Sequence, residues 1–202
     1  MASTSYGIWL HTDKMIRITS ARVQEIRKTC KDVRGLNFWA EQDGKGHKVH
    51  GGGRHGRIEQ LVNARCAEEA VARRLGTEAC FKRDKRSRVD LVLSDGRRIE
   101  VKSTPIDKVG KTHQDRVRNA ARRRGFVFQK SRNGRIVNPL FDPSHTHHAR
   151  ALEEYLCGMV TETCSNGDVC CYPCIWMVQM CKLTFRPMRR FDLKDKLAVY
   201  MS

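Results

Sequence analysis

The sequence RVDLVLSDGRRIEVKS, residues 88–103, indicates two short β-strands joined by a turn. Residues 89–93 and 99–102 are rich in Leu and β-branched residues, and the Ser-Asp-Gly sequence between them has the composition of a tight turn. Each predicted strand also carries an acidic residue where an interior strand normally carries none, Asp90 in the first and Glu100 in the second. The stretch therefore predicts a β-hairpin that holds two carboxylates.

The register of this hairpin decides whether the two carboxylates share one face of a sheet, because side chains alternate between the two faces. A two-residue turn puts Asp90 and Glu100 on opposite faces. A three-residue loop, closed by Gly96 in the left-handed conformation, pairs Asp90 with Glu100 and puts Lys102 on the same face. We predict the three-residue loop, although a bulge in either strand would restore this register with a two-residue turn.

A face that carries Asp90, Glu100 and Lys102 suggests a particular chemistry. The carboxylates repel each other unless a cation lies between them, and their oxygens favour Mg²⁺ or Mn²⁺. Lys102 would orient or help to deprotonate a water, while the metal neutralises charge on an attacked phosphate. The alternative is a solvated hairpin with cross-strand ion pairs. The density of apolar residues favours burial, with Ile99 and Val101 toward the core, where unpaired charges are costly.

The spacing of these residues resembles the signature of the PD-(D/E)xK nuclease superfamily, whose members have the restriction-endonuclease-like fold. Asp90 is followed, after nine residues, by Glu100-Val101-Lys102, and Val89 stands where the signature has proline. The resemblance implies Mg²⁺-dependent cleavage of DNA phosphodiester bonds, with Mn²⁺ as the alternative metal. It also implies that Asp90 and Glu100 bind the metal, that the carbonyl of Val101 is a third ligand, and that Lys102 acts at the attacking water.

Residues 58–75 form the longest helical pattern in the chain, with small and apolar residues at three- and four-residue steps and Gly76 at its end. Glu68 lies beside that apolar stripe. It resembles the helical glutamate that many members of the superfamily bring to the metal, and Glu59 is the second choice for this role. A further helix is predicted to begin at Ser20, from its capping side chain and the apolar residues that follow at helical spacing.

Two basic segments are expected to contact nucleic acid. Residues 43–57 combine glycines, histidines and basic residues without hydrophobic periodicity, which predicts a loop that orders on nucleic acid. Residues 113–124 predict a helix that ends at Gly125, and Gln114 within it resembles the arrangement in archaeal Holliday-junction resolvases. The residues expected to contact DNA, mainly at its phosphates, are Arg54, Arg57, Gln114, Arg116, Arg118 and Arg122.

The order of the predicted elements is similar to the core of the superfamily. Helix, strand, strand, helix and strand follow one another from the helix at 58–75 to a strand at 126–128. The resemblance therefore implies an α/β, restriction-endonuclease-like core over residues 56–138, with a central mixed sheet flanked by helices. Residues 1–55 precede this core as an N-terminal helix and the basic loop, and residues 139–202 follow as a Cys-rich extension packed on it.

Six of the nine cysteines lie in the C-terminal segment. Cys171 and Cys174 are spaced like half of a zinc site, and Cys164 and Cys181 are candidates for the other half. No second pair at this spacing completes the set, and the surrounding sequence also indicates a buried strand in which cysteine is a small apolar residue. We therefore do not favour Zn²⁺ at these cysteines. A helix is predicted just before them, at residues 149–157.

The charge balance points to a polyanionic partner. Lys and Arg outnumber Asp and Glu by 39 to 22, which gives a net charge of +17. No stretch approaches the length of a membrane-spanning helix, and the N-terminus lacks the pattern of a signal peptide. We therefore expect an intracellular, cytoplasmic protein, nucleoid-associated or nuclear according to its host, that binds DNA and no membrane, as a monomer or a homodimer.

The leading hypothesis is a Mg²⁺-dependent endonuclease that hydrolyses DNA phosphodiester bonds. A structure-specific nuclease, similar to Holliday-junction resolvases, is the nearest alternative. A noncatalytic, zinc-containing DNA-binding protein is the alternative from another functional class.

Overall fold

The computed structural model of the chain describes residues 14–31, 53–78, 90–129, 154–187 and 196–201. Within these residues lie three α-helices, the last of which continues into a π-helical turn, Ala120–Arg124. The helices are α1 (Ser20–Lys31), α2 (Gly53–Leu75) and α3 (His113–Asn119). The strands are β1 (Ile16–Ile18), β2 (Leu91–Val92), β3 (Arg98–Pro105), β4 (Phe126–Gln129), β5 (Glu154–Thr163), β6 (Val169–Gln179), β7 (Arg186–Pro187) and β8 (Lys196–Val199).

The strands form two sheets. The larger sheet has five strands in the order β1-β6-β5-β3-β2. Strands β3 and β5 are parallel, and the other neighbours in this sheet are antiparallel. The smaller sheet, β4-β8-β7, is antiparallel throughout. The α/β class and the central mixed sheet that the sequence predicts are thereby confirmed.

The start of α1 and the ends of the two later helices lie where the sequence predicts them. Helix α1 begins at Ser20, whose backbone N–H donates to Asp168 Oδ1 at 2.8 Å. Helix α2 ends at Leu75, before Gly76 with φ +66°, and the π-helical turn after α3 ends before Gly125 with φ +65°. None of the helices that the structure describes has both the length and the apolar character needed to cross a membrane.

The start of α2 differs from the loop expected at residues 43–57. That prediction is wrong for residues 53–57, which form the first turn of the helix, while residues 43–52 lie outside the described residues. Two glycines lower the helix propensity here, but extending a helix from packed turns costs far less than nucleating one. Arg54 and Arg57 therefore lie on the first turns of α2.

Alternation along β3 sends its side chains to two different cores, one on each face of the sheet. Ile99 and Val101 are buried in a cluster with residues of α1 and α2. Leu156, on the neighbouring strand β5, belongs to a second cluster, with residues of α3, β4 and β6. Glu100 and Lys102 alternate with the buried β3 residues, so they point to the face that carries the second cluster.

Strand β5 takes the place of the helix predicted at residues 149–157. Residues 149–153 lie outside the described residues, and the helix prediction is wrong from Glu154 onward, where the strand begins. This strand lies between β3 and β6, so nearly all of its residues are buried. A strand buried on both faces lacks the alternation by which a strand is recognised, and its apolar run also fits a helix.

The C-terminal segment contributes to the central sheet itself. Strands β5 and β6 come from residues 139–202, which were expected as an extension packed on the core. The strand predicted at 126–128 exists as β4, but it pairs with β8 in the smaller sheet, so β5 and not β4 lies beside β3. The buried strand predicted around the last cysteines is confirmed as β6.

Candidate active site

The loop of the β2–β3 hairpin has the three-residue form. Leu93 N–H donates to Arg97 O at 2.8 Å, and Gly96 N–H donates to Leu93 O at 3.0 Å. Gly96 has φ +85°, a left-handed conformation that costs any other L-residue about 1–2 kcal/mol. The side chain of Asp95 accepts a hydrogen bond from the backbone N–H of Arg97 at 3.0 Å. The predicted loop and its positive φ are confirmed.

The paired register of the hairpin ends at Leu91 and Ile99, one residue short of the two acids. The backbone N–H of Asp90 also donates to Ile99 O, at 3.1 Å, so the regular register does not continue to an Asp90–Glu100 pair. Asp90 lies immediately before β2 and not within it, which differs from the prediction. Its side chain still joins the sheet, because Asp90 Oδ2 accepts a hydrogen bond from the backbone N–H of Val101 at 2.8 Å. The carboxylate is thus tied to the residue that follows Glu100.

Glu100 and Lys102 form an ion pair on one face of β3. Ile99 and Val101 face the core on the opposite side, with 0% and 6% of their surface exposed, as the sequence predicts. Asp90 and Glu100 are themselves buried, at 7% and 8% exposure. Buried carboxylates need hydrogen bonds or cations around them, and the Val101 N–H and the Lys102 ammonium are two such partners.

The two helical glutamates are both bound to arginines. Glu68 is buried and accepts a hydrogen bond from Arg65 Nη1 at 2.5 Å. Glu59 accepts two hydrogen bonds from Arg27 of α1. Among the residues that the structure describes, no group of three or more His, Cys, Asp or Glu is arranged to hold a metal ion. Neither glutamate therefore forms such a group with the two hairpin carboxylates.

A site with two carboxylates has the donor set that Mg²⁺ takes in many proteins. This ion is commonly bound by one or two carboxylates, while water and substrate phosphates complete its shell. Asp90 and Glu100 would supply such oxygens from adjacent segments of the hairpin, and the carbonyl of Val101 is the backbone oxygen next to Glu100. These hard oxygen donors fit Mg²⁺ or Mn²⁺.

The cysteines of β6 do not fit a shared zinc ion. Cys171 belongs to the core cluster with α1 and α2, whereas Cys174 belongs to the cluster on the other face of the sheet. Burial raises the pKa of Cys174 to about 12 and raises the pKa of Cys171, so both thiols stay protonated at neutral pH. A zinc site that uses this Cys-x-x-Cys pair is not compatible with the geometry.

The residues of α3 and its π-helical turn that are predicted to contact DNA lie in different environments. Gln114 and Arg122 are exposed and Arg118 is partly exposed, and their four-residue spacing puts them on one side of α3 and its π-helical turn. Arg116 instead contacts the segment after β3, where its Nε donates to Asp107 O at 3.1 Å, and its Nη2 lies 3.4 Å from Glu162 Oε1 of β5. We call Gln114, Arg118 and Arg122 the outer stripe of α3. Arg116 lies on the other side and holds the helix in place.

A cluster of polar side chains around Glu162 was not found from the sequence. Its Oε2 lies 2.7 Å from His113 Nε2 and accepts a hydrogen bond from Tyr172 Oη at 3.2 Å. Its Oε1 lies 3.4 Å from Arg116 Nη2. Glu162 therefore joins the start of α3 to strands β5 and β6. The one local signal was the capping box of Thr112, which fixes where α3 begins but not what it contacts.

Comparison of the chain with protein-family models, curated proteins and solved structures finds no match.

Proposed function

We propose that the chain is a Mg²⁺-dependent endodeoxyribonuclease with a restriction-endonuclease-like core. The observation that carries this proposal is the grouping of three charged side chains around Val101. The Asp90 carboxylate accepts a hydrogen bond from the Val101 N–H, and the residues on either side of Val101, Glu100 and Lys102, form an ion pair. The net charge of +17 supports a polyanionic substrate.

The hairpin residues would divide the work of hydrolysis. Asp90 and Glu100 would hold the metal, which supplies Lewis-acid stabilisation of charge on the attacked phosphate. The Val101 N–H orients the Asp90 carboxylate from a central strand, so this ligand is positioned before substrate arrives. Lys102, held at Glu100, would orient the attacking water and offset the negative charge that develops on the phosphate.

Cleavage of DNA by the purified chain tests this proposal. We expect plasmid DNA to be nicked or linearised with Mg²⁺ or Mn²⁺ and to stay intact in chelator. Asp90→Asn should abolish cleavage because an amide is a weaker ligand for a hard cation, although its oxygen can still accept from Val101. Glu25→Gln removes the same charge from an exposed position on α1 and should cut like the wild type.

The choice of DNA substrates separates the alternatives. Preferential cutting of a four-way junction over plasmid and linear DNA would identify a structure-specific nuclease. A wild-type chain that binds DNA but cuts none of these substrates with either metal would overturn the proposal in favour of a noncatalytic DNA-binding protein.

The outer stripe of α3 is proposed to contact DNA phosphates. Each phosphate contact makes the slope of the logarithm of the DNA-binding constant against the logarithm of salt concentration more negative by about 0.9, because bound counterions are released. Arg118→Gln combined with Arg122→Gln should therefore reduce the magnitude of the slope by roughly two and weaken binding to all sequences alike. Fluorescence anisotropy over a salt series measures both quantities. Arg73→Gln removes one positive charge from the exposed side of α2 and, as a control for charge removal elsewhere, should leave the slope unchanged.

A further inference from the structure

The β5–β6 hairpin carries a pair of thiols outside the candidate active site. Cys164 and Cys170 flank its loop, and their Sγ atoms lie 3.3 Å apart. Cys164 is half-buried, whereas the other six cysteines whose side chains the structure describes are buried. One thiol of the pair is therefore accessible to a small reagent, and the second lies in contact with it.

The backbone around the two thiols is held by hydrogen bonds. Cys164 N–H donates to Asp168 O at 2.8 Å, and Gly167 N–H donates to Cys164 O at 2.9 Å. Gly167 has φ +84°, so this is a second three-residue hairpin loop. Next to the loop, Glu162 pairs with Cys170 across the strands. Cys164 and Cys170 are therefore diagonal neighbours on one face of the hairpin. An S–S bond of about 2.05 Å would require the two sulfur atoms, 3.3 Å apart, to approach each other through side-chain rotation and some movement of the strand ends.

We infer that Cys164 and Cys170 are a modification site, a dithiol that a peroxide oxidises to an intramolecular disulfide. The Cys164 thiolate attacks one oxygen of hydrogen peroxide, which leaves a sulfenic acid on Cys164 and releases hydroxide. The Cys170 sulfur then displaces the hydroxyl group of the sulfenic acid, and the S–S bond forms. The two thiols lose two protons and two electrons in total, and the peroxide is reduced to two molecules of water.

The pH dependence of this oxidation follows from the protonation state of the Cys164 thiol. Burial raises the pKa of Cys164 to about 11, and the neighbouring Cys170 adds to the shift. Because the thiolate is the nucleophile, the reaction is slow at neutral pH and becomes faster as the pH rises toward that pKa. The oxidation rate should increase roughly tenfold per pH unit between about pH 7 and pH 9.

The thiol pair adjoins the contacts that hold α3 on the sheet. Glu162, the cross-strand partner of Cys170, binds His113 and Arg116 of that helix. Tyr172, two residues after Cys170 on the same face of β6, donates a hydrogen bond to Glu162. A disulfide would therefore fix the strand ends on which α3 rests, and slower amide exchange is expected in both strands near the loop.

Oxidation of the native chain with hydrogen peroxide, followed by alkylation and mass spectrometry, tests the inference. The segment 151–181 contains no Lys or Arg, so trypsin leaves all of its cysteines in one peptide. Proteolysis before Asp168 separates Cys164 from Cys170. We expect a disulfide cross-link between the peptide before Asp168 and the peptide that begins with it. Fragmentation should assign the cross-link to Cys170 and not to Cys171, and dithiothreitol should reduce it.

Cys164→Ser removes the accessible thiol with little change in packing and should abolish the cross-link, while Cys170 becomes fully alkylatable on unfolding. Four results would overturn the inference. They are a disulfide between two chains, a bond from Cys164 to another cysteine, a chain that keeps both thiols, and oxidation of Cys164 alone to a sulfinic acid. None of these measurements depends on DNA cleavage, so they stand apart from the proposed function.

Discussion

Replacing Lys102 with alanine is expected to reduce Mg²⁺-dependent cleavage by at least about a hundredfold, the usual loss when a positioned proton-transfer or charge-stabilising group is removed. Lys102 is paired with Glu100, and the Asp90 carboxylate is bound to the backbone N–H of Val101, which lies between them in the sequence. Its ammonium would therefore stand at the attacking water. DNA affinity should change little, because phosphate binding is spread over many basic residues. Single-turnover cleavage and anisotropy measure the two effects separately.

A charge-preserving variant and a control show whether cleavage needs the lysine itself or only its positive charge. Lys102→Arg keeps the positive charge beside Glu100, so a comparable loss would show that positive charge alone is not sufficient and that the shape or proton exchange of the lysine is needed. Recovery of most activity in the arginine variant would assign an electrostatic role. Lys28→Ala removes one charge from the exposed side of α1 and should cut normally. Wild-type cleavage by Lys102→Ala would remove this lysine from the mechanism.

The hairpin could be predicted because its geometry depends on a few neighbouring residues. The Ser-Asp-Gly sequence needs only Gly96 in the left-handed region to form a three-residue loop, and the loop length then sets the register. Alternation along β3 assigns Glu100 and Lys102 to one face and Ile99 and Val101 to the other. The helix ends at Gly76 and Gly125 could be predicted for the same reason, since capping is local, whereas the start of α2 lies in a glycine-rich stretch and was missed.

Strand pairing could not be predicted, because it depends on residues far apart in sequence. The strand after α3 appeared in the expected order, but that order does not say which strand lies beside β3. The strand beside β3 is β5, which is covered on both faces and therefore lacks the alternation of polar and apolar residues by which a strand is predicted. The contact of His113 with Glu162 could not be predicted for the same reason, since only the folded sheet brings these distant residues together.

Replacing Phe126 with alanine is expected to lower the free energy of unfolding by about 3–5 kcal/mol, the range for removing a buried aromatic ring. Phe126 is fully buried in the core cluster under α3. Its ring covers Gly158 of β5, and a Cβ built on that glycine would lie 2.9 Å from the ring. Phe126→Leu retains most of the apolar volume and should cost less than about 1.5 kcal/mol. Urea denaturation measures both variants.

Gly158→Ala tests the same contact from the other side of the interface. In the wild type the added methyl group would meet the ring and should destabilise the chain by about 1–3 kcal/mol, as overpacking does. In the Phe126→Ala background the ring is gone, so the same substitution should cost much less, with a coupling energy of about 1 kcal/mol or more. Because Gly158 pairs with Lys102 in the register of β3 and β5, the clash should also slow cleavage. An equal cost of Gly158→Ala in both backgrounds would show that the ring does not pack on β5 beside the candidate site.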